Sequence, residues 1–297
     1  MLDKVLLKFI EENCGKGTVT VPEDVMSQYL DGCKSALEGM FSNYKSLFPT
    51  VSDLAGEPLK MWCRKNYPDI QEEFNPELRM TFWQGHVIEA MLIALLKLSG
   101  HPITGEQERV YLHDEEIPDP IRGRMDITTV IAGTEGVVDI KTAHTESFES
   151  KWRSHDSLTL EDKYGYNAQG GAYELASGKP FLGWLVFNKD NSRLRFVEAD
   201  KPGQLVSSLS KALGNVEQAY KARPTLPEEY EYYLGEPTGN IRVPPHWARS
   251  PYARALWPTA VWCKRGKQTL IYTKFDGIKI PGVKRINNPT EQADARN

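Results

Sequence analysis

Between Thr81 and Leu98 the apolar residues Phe82, Trp83, Val87, Ile88, Met91, Leu92, Ile93, Leu95 and Leu96 surround most of a helix's circumference. This pattern predicts a buried helix, stopped by Gly100 and Pro102 in the order expected at a helix C-terminus. After it the apolar period changes from helical to two. Glu108 to His113, Arg124 to Ala132 and Gly136 to Thr142 each read as strands, with a tight turn over Gly133 to Gly136. A polar stretch from His144 to Leu160 precedes a helix over Glu161 to Ala176. Strands at Phe181 to Phe187 and Arg193 to Glu198 and a helix from Gln204 to Ala222 follow. The order of elements predicts an α/β or α+β fold, a sheet with helices on its faces.

Upstream, residues 1–80 form a helical N-terminal region, broken at Gly15 to Gly17, Pro49, Gly56 to Pro58 and Pro68. Residues 81–225 hold the α/β core. Residues 226–297 form a C-terminal extension rich in Pro, Gly, Trp and Tyr, with one hairpin near Ala260 to Ile278 and a polar, disordered tail from Asn287. The chain of 297 residues carries 36 Lys and Arg against 40 Asp and Glu, so bulk charge cannot coat nucleic acid and any such contact needs local patches. The four cysteines, at 14, 33, 63 and 263, lack the close pairing of a zinc or iron–sulfur ligand set and read as free thiols. No secretory leader and no membrane-spanning run is visible, so the expected location is cytoplasmic.

One acid breaks the apolar helix: Glu89 is the only Asp or Glu between Leu78 and Gly105. A carboxylate there needs a compensating charge, for which a paired arginine serves as well as a metal. Asp139 and Lys141, in Gly-Val-Val-Asp-Ile-Lys-Thr, share one face of a strand by alternation, with Val138 and Ile140 on the other. Such a pair suits a metal and a water, and alone it equally suits a solvated strand face. Asp126, in Arg-Gly-Arg-Met-Asp-Ile, lies on the preceding strand of the hairpin, so the fold can bring the two acids together. Three convergent carboxylates repel one another unless Mg²⁺ or Mn²⁺ stands among them. On the second helix Gln169 and Tyr173 share a face with Tyr166, and Gly170 and Gly171 permit close approach to a sheet or a phosphate backbone.

Taken in order, Gly85-x-x-x-Glu89, Gly123-Arg-Met-Asp126, Asp139-Ile-Lys141-Thr and Gln169-x-x-x-Tyr173 resemble the PD-(D/E)XK nuclease superfamily, nearest its RecB-like and lambda-exonuclease-like branch. The resemblance spans roughly Thr81 to Asp200. It implies a restriction-endonuclease-like core with a central mixed sheet. It also implies metal ligation of Mg²⁺ or Mn²⁺, two ions in all, by Glu89, Asp126, Asp139 and the Ile140 carbonyl. Lys141 would position or activate the attacking water, Gln169 would orient Lys141 or a phosphate, and Tyr173 would support the helix against DNA. Glutamate at 89, where many RecB-like enzymes have histidine, leans to the lambda-type branch. The cysteines of the iron–sulfur relatives are absent.

The expected activity is thus a DNA exonuclease for recombination, repair or phage DNA processing; the alternatives are a PD-(D/E)XK endonuclease or a DNA- or protein-binding module that retains the fold. The resemblance admits a homo-oligomer and a single-strand annealing or recombination partner protein, in a bacterial or phage-infected cell. Phe48-Pro-Thr-Val-Ser52-Asp-Leu and Trp62-Cys-Arg64 loosely resemble the region where such exonucleases hold the DNA end, although Ser52 reads more simply as a helix N-cap. Lys151 and Arg153, flanking Trp152, are candidate strand contacts, as are Lys264, Arg265 and Lys267; a solvated loop accounts for either group.

Overall fold

A computed structural model describes residues 1–41, 48–70 and 76–286. The chain divides into two compact units, one of Met1–Met61 with Phe74–Ala222, the other of Trp62–Glu73 with Arg223–Asn297. The N-terminal helices therefore belong to the same unit as the first sheet, and the division after Ala222 lies close to the end of the expected core.

In chain order, the first unit contains α1 (Leu2–Asn13), α2 (Glu23–Phe41) and a 3-10 turn (Val51–Ala55). Helix α3 (Pro58–Asn66) runs across the division. Then come α4 (Pro76–Leu98), β1 (Ile103–Asp114), β2 (Ile117–Ile131) and β3 (Thr134–Ala143). Three short turns of helix follow, α5 (Thr145–Glu149), a 3-10 turn (Lys151–Arg153) and α6 (His155–Leu160), before α7 (Tyr166–Ser177), β4 (Phe181–Asn188), β5 (Leu194–Glu198) and α8 (Pro202–Lys221).

The fold of this unit is α+β. Its sheet has the order β1-β2-β3-β4-β5, antiparallel throughout except for the parallel β3–β4 pair; it is flanked by helices as the order of elements predicts, and mixed as the resemblance implies. One face, with Ile127, Ile131, Val138, Ile140 and Leu185, packs on Leu2 and Leu6 of α1 and Leu92, Ile93 and Leu96 of α4. On the other, α7 lies against β1, β3 and β4 and is itself backed by α8. Among the described residues no helix is long and apolar enough to cross a membrane.

Several boundaries differ from the sequence reading for physical reasons. Helix α4 starts at Pro76 and is buried only along Leu92, Ile93 and Leu96, while Phe82 is 48% exposed. The sheet and α2 each cover part of the helix, and the side carrying Phe82 is left to solvent. The β2–β3 turn is Ala132–Gly133, both with positive φ, which is the two-residue hairpin geometry. Helix α7 begins at Tyr166 because the Asp162 carboxylate accepts from the Tyr166 and Asn167 N–H groups and caps its first turn. The stretch from His144 to Leu160 is not a polar loop: Phe148, Trp152, His155 and Leu158 are buried.

Gly170 and Gly171 serve helix packing. A Cβ on Gly170 would lie 2.8 Å from the Phe181 ring, and one on Gly171 would lie 2.8 Å from the Leu205 carbonyl oxygen. The glycines bring α7 onto β4 and α8; the phosphate role considered for them is not needed to explain them.

The second unit has an antiparallel sheet of order β10-β8-β9-β7-β6, from β6 (Glu229–Tyr233), β7 (Glu236–Arg242), β8 (Val261–Arg265), β9 (Gln268–Lys274) and β10 (Val283–Arg285). Two short helices, α9 (Pro245–Ala248) and α10 (Ala253–Leu256), lie between β7 and β8. The expected hairpin near Ala260 to Ile278 is β8–β9. The β6–β7 hairpin escaped the sequence because its polarity is inverted. Tyr230 and Tyr232 point outward, whereas Glu231 is buried and accepts from Tyr272 Oη at 2.6 Å, Asn240 Nδ2 at 2.9 Å and Thr238 Oγ1 at 3.0 Å. The tail from Asn287 lies outside the described residues. All four cysteines are free, as expected.

Gly171→Ala is expected to destabilise the protein by about 1–3 kcal/mol, since backbone must shift to admit the methyl. In contrast, Gly214→Ala in α8, where an added Cβ meets nothing within 4 Å, should stabilise by up to about 1 kcal/mol. Denaturant unfolding of the two variants beside the wild type measures both effects.

Candidate active site

The β2–β3 ladder is paired from Ile131↔Thr134 to Ile127↔Val138 and goes no further. One more step in the same register would set Asp126 against Asp139. Instead, Asp126 Oδ2 accepts the Ile140 backbone N–H at 2.6 Å. A carboxylate thus closes the end of the ladder in place of a backbone carbonyl, close enough to Asp139 to feel its charge. Asp139 is buried, and Lys141, two residues on and on the same face by alternation, brings its Nζ to 2.5 Å from Asp139 Oδ2. The sequence-predicted hairpin geometry of Asp126, Asp139 and Lys141 is what the strands provide.

Gly123 explains the start of the Gly-Arg-Met-Asp segment. A Cβ there would meet Val51 of the 3-10 turn at 2.7 Å, Tyr173 of α7 at 3.0 Å and Val110 of β1 at 3.1 Å. The glycine lets three elements converge next to the acids. Tyr173 is buried there, and burial, with Asp139 next, pushes its phenol up, so it stays neutral.

Glu89 reaches the site from α4. Its side chain is mostly buried; Oε1 accepts from Gln107 Nε2, and Oε2 lies 3.4 Å from His86 Nδ1. Burial presses its carboxyl upward, but His86, Arg124 and Gln107 together outweigh that and hold it below the usual glutamate range. Within the chain, a histidine, an amide and an exposed arginine share the compensation.

Asp126 behaves in the opposite way. Burial first, then the charges of Glu89 and Asp139, raise it well above the ordinary aspartate range against the pull of Lys141 and the Ile140 N–H. For Lys141, burial favours loss of the proton, but Asp139 and Asp126 outweigh it and the pKa lies above the ordinary lysine value. The Asp139 contact holds Lys141 as an ammonium in this arrangement.

The donors fit a hard divalent cation by chemistry. Three carboxylates and a strand carbonyl are the oxygen ligands that Mg²⁺ and Mn²⁺ take. Asp139 Oδ2 is buried and makes no directed hydrogen bond, having only the charge contact of Lys141. An oxygen in that position gains most from a cation. Among the described residues no three His, Cys, Asp or Glu side chains already stand as a ligand cage. Glu89 meets Gln107 and His86 here, and Asp126 accepts from the Ile140 N–H.

The remaining candidates fall in different places. Gln169 is half-buried on α7 and its Nε2 donates to the Tyr164 carbonyl at 3.4 Å. The aromatic ring beside Lys141 belongs to Tyr166, whose centroid is 5.5 Å from Nζ. Lys151 is a correction: it is buried, with Nζ 4.8 Å from the Tyr164 ring, 4.9 Å from Tyr166 and 5.3 Å from Trp152. An ammonium enclosed by three rings is a structural cation and does not present itself to a DNA strand. Arg153 is exposed.

Ser52 is exposed but is not the N-cap of its turn. That residue is Thr50, whose N–H and Oγ1 donate to Asp53 Oδ2 at 2.8 and 2.7 Å. Arg64 lies in the last turn of α3, in the second unit. Sequence reasoning gave no site role to Gln107, His86, Arg124 or Tyr166, although it placed Tyr166 on the face of Gln169 and Tyr173. His86 stands one helical turn before Glu89 and was open to discovery by spacing; Gln107 and Arg124 are brought to Glu89 only by the fold.

No family model and no curated protein matches the chain. The solved structure of the protein SSO0001 aligns with 66% of this chain and 88% of its own length at 16% identity, with a TM-score of 0.43, too distant to carry a conclusion.

Because Asp126 is raised, its protonated form favours the folded state. That contribution is full below the unfolded aspartate pKa of about 3.9 and is lost as pH climbs through the raised folded value. Asp126→Asn keeps an oxygen for the Ile140 N–H and removes the titration. In chelator, the variant is expected to flatten this part of the pH–stability curve and to be the more stable protein at neutral pH, measured by denaturant unfolding across a pH series.

Proposed function

We propose that the chain is a Mg²⁺- or Mn²⁺-dependent deoxyribonuclease of the PD-(D/E)XK kind that degrades DNA from an end. The observation that carries this reading is the Asp126 carboxylate that takes the Ile140 N–H where the β2–β3 ladder ends, with Asp139 and Lys141 in contact beside it. Asp126, Asp139 and the Ile140 carbonyl would hold one cation, and Glu89 a second. Bound there, the ions would supply a water of lowered pKa and neutralise charge on the phosphate and the leaving oxygen.

The chain's own residues do the rest. Lys141, held as an ammonium beside Asp139, offers positive charge to the phosphate or orients the attacking water through its N–H donors. The Tyr166 ring covers the lysine on one side and limits its motion. Tyr173, kept neutral, has a phenol O–H for a phosphate oxygen or a water. Arg124 is exposed and its charge already acts on Glu89 and Tyr173, which makes it the candidate for holding the phosphate backbone. Lys151 is left out of this set by its burial.

The preference for ends over internal bonds rests on the glutamate at 89 and on the lambda-type resemblance. Incubation of end-labelled linear DNA and covalently closed circles with Mg²⁺ or Mn²⁺ tests it. Linear DNA is expected to be degraded and circles spared, and Asp139→Ala or Lys141→Ala should reduce the rate by on the order of 100- to 1,000-fold. Nicked circles beside intact ends would make the chain an endonuclease. No cleavage of either form with either metal would end the nuclease reading.

A further inference from the structure

Gln107 is one of four non-glycine residues with positive φ among the described residues, at +50°, and it lies inside β1 rather than in a turn. The β1–β2 register passes from Glu106↔Ile127 to Glu108↔Met125, so Gln107 stands opposite Asp126. A left-handed conformation in mid-strand is unfavourable for a residue with a side chain, and such strain persists where the surroundings make use of it. Here the side chain crosses to α4 and its amide donates to Glu89 Oε1. The other carboxylate oxygen faces His86. Glu89 is otherwise a mostly buried acid on a helix whose neighbours Ile88, Leu92 and Ile93 belong to the apolar core. The amide is the hydrogen-bond donor that reaches its carboxylate from β1.

We propose that Gln107 is a positioning residue whose strained backbone aims its amide at Glu89, fixing that carboxylate for the divalent cation it would hold beside the Asp126–Asp139 site. The proposal deepens the metal-nuclease reading and rests on it. Ligand carboxylates are commonly oriented by hydrogen bonds from residues that do not touch the metal, and loss of such a partner weakens metal binding by about 10–100-fold. A glycine at 107 would relieve the backbone and remove the amide. The two effects therefore separate in one variant, because a residue that merely supported the fold would not combine equal or higher stability with a weaker site.

The test uses the full chain, Mn²⁺ titration calorimetry and melting in chelator. Gln107→Gly is expected to melt at or above the wild-type temperature and to bind Mn²⁺ about 10–100-fold more weakly. Gln107→Asn, which tolerates the left-handed backbone but is too short to reach Glu89, should show the same loss and covers the case of a poorly folded glycine variant. In a Glu89→Gln background, Gln107→Gly should change Mn²⁺ affinity less than twofold, because the two residues act as a unit. Wild-type affinity in both Gln107 variants, or an undiminished effect in the Glu89→Gln background, overturns the proposal while leaving the metal site standing. A wild-type chain that binds Mn²⁺ no better than Asp139→Asn overturns the metal site and the proposal together.

Discussion

The first unit depends on where one ladder of backbone hydrogen bonds stops. Strands β2 and β3 pair down to Ile127↔Val138, and there a carboxylate, not a carbonyl, takes the next strand N–H, that of Ile140. A backbone group at this depth cannot be left without a partner. Asp126 supplies the partner and in doing so stands next to Asp139. The same step that satisfies the sheet therefore concentrates negative charge at its end. On the opposite face, Ile127, Val138 and Ile140 are sealed by α1 and α4, so the strands cannot slip by one residue without turning the acids into the core.

Charge at this place is balanced by distribution. Lys141 answers Asp139, a raised pKa relieves Asp126, and Glu89 is held ionised by His86, Arg124 and Gln107. Each carboxylate has a different solution to the same desolvation. The cost of clustering is met by neighbours drawn from four elements, α4, β1, β2 and β3. Beyond Lys141 the Tyr166 ring also faces Lys151, so two ammonium groups share one aromatic plane, the inner one buried and fixed by Trp152 and Tyr164 as well. The segment that the sequence presents as polar is, in the fold, the packing that holds the ring beside Lys141.

Legibility followed how local each determinant is. The strands, the sheet with flanking helices, and the shared face of Asp139 and Lys141 come from periodicity, and periodicity is a property of neighbours along the chain. Helix α7 was displaced because the Asp162 cap and not its apolar pattern sets the start. Burial of Lys151 was misjudged because cation–π enclosure gathers Trp152, Tyr164 and Tyr166 from either side of a helix break. The β6–β7 hairpin was hidden because Glu231 is buried by Tyr272 and Asn240 from other strands, reversing the alternation that marks a strand.

By itself the sequence determined that Asp126, Asp139 and Lys141 lie on neighbouring strands, that Glu89 is an acid set among apolar residues, and that the core is a sheet between helices. Spacing along a strand or helix fixes direction, and direction is enough for those statements. Only the tertiary structure decided which side chains keep Glu89 charged, that Gln107 reaches it from a left-handed backbone, and that Lys151 belongs to the interior. Those outcomes depend on the distance between segments far apart in the chain and on the water their packing removes, and no local pattern encodes either.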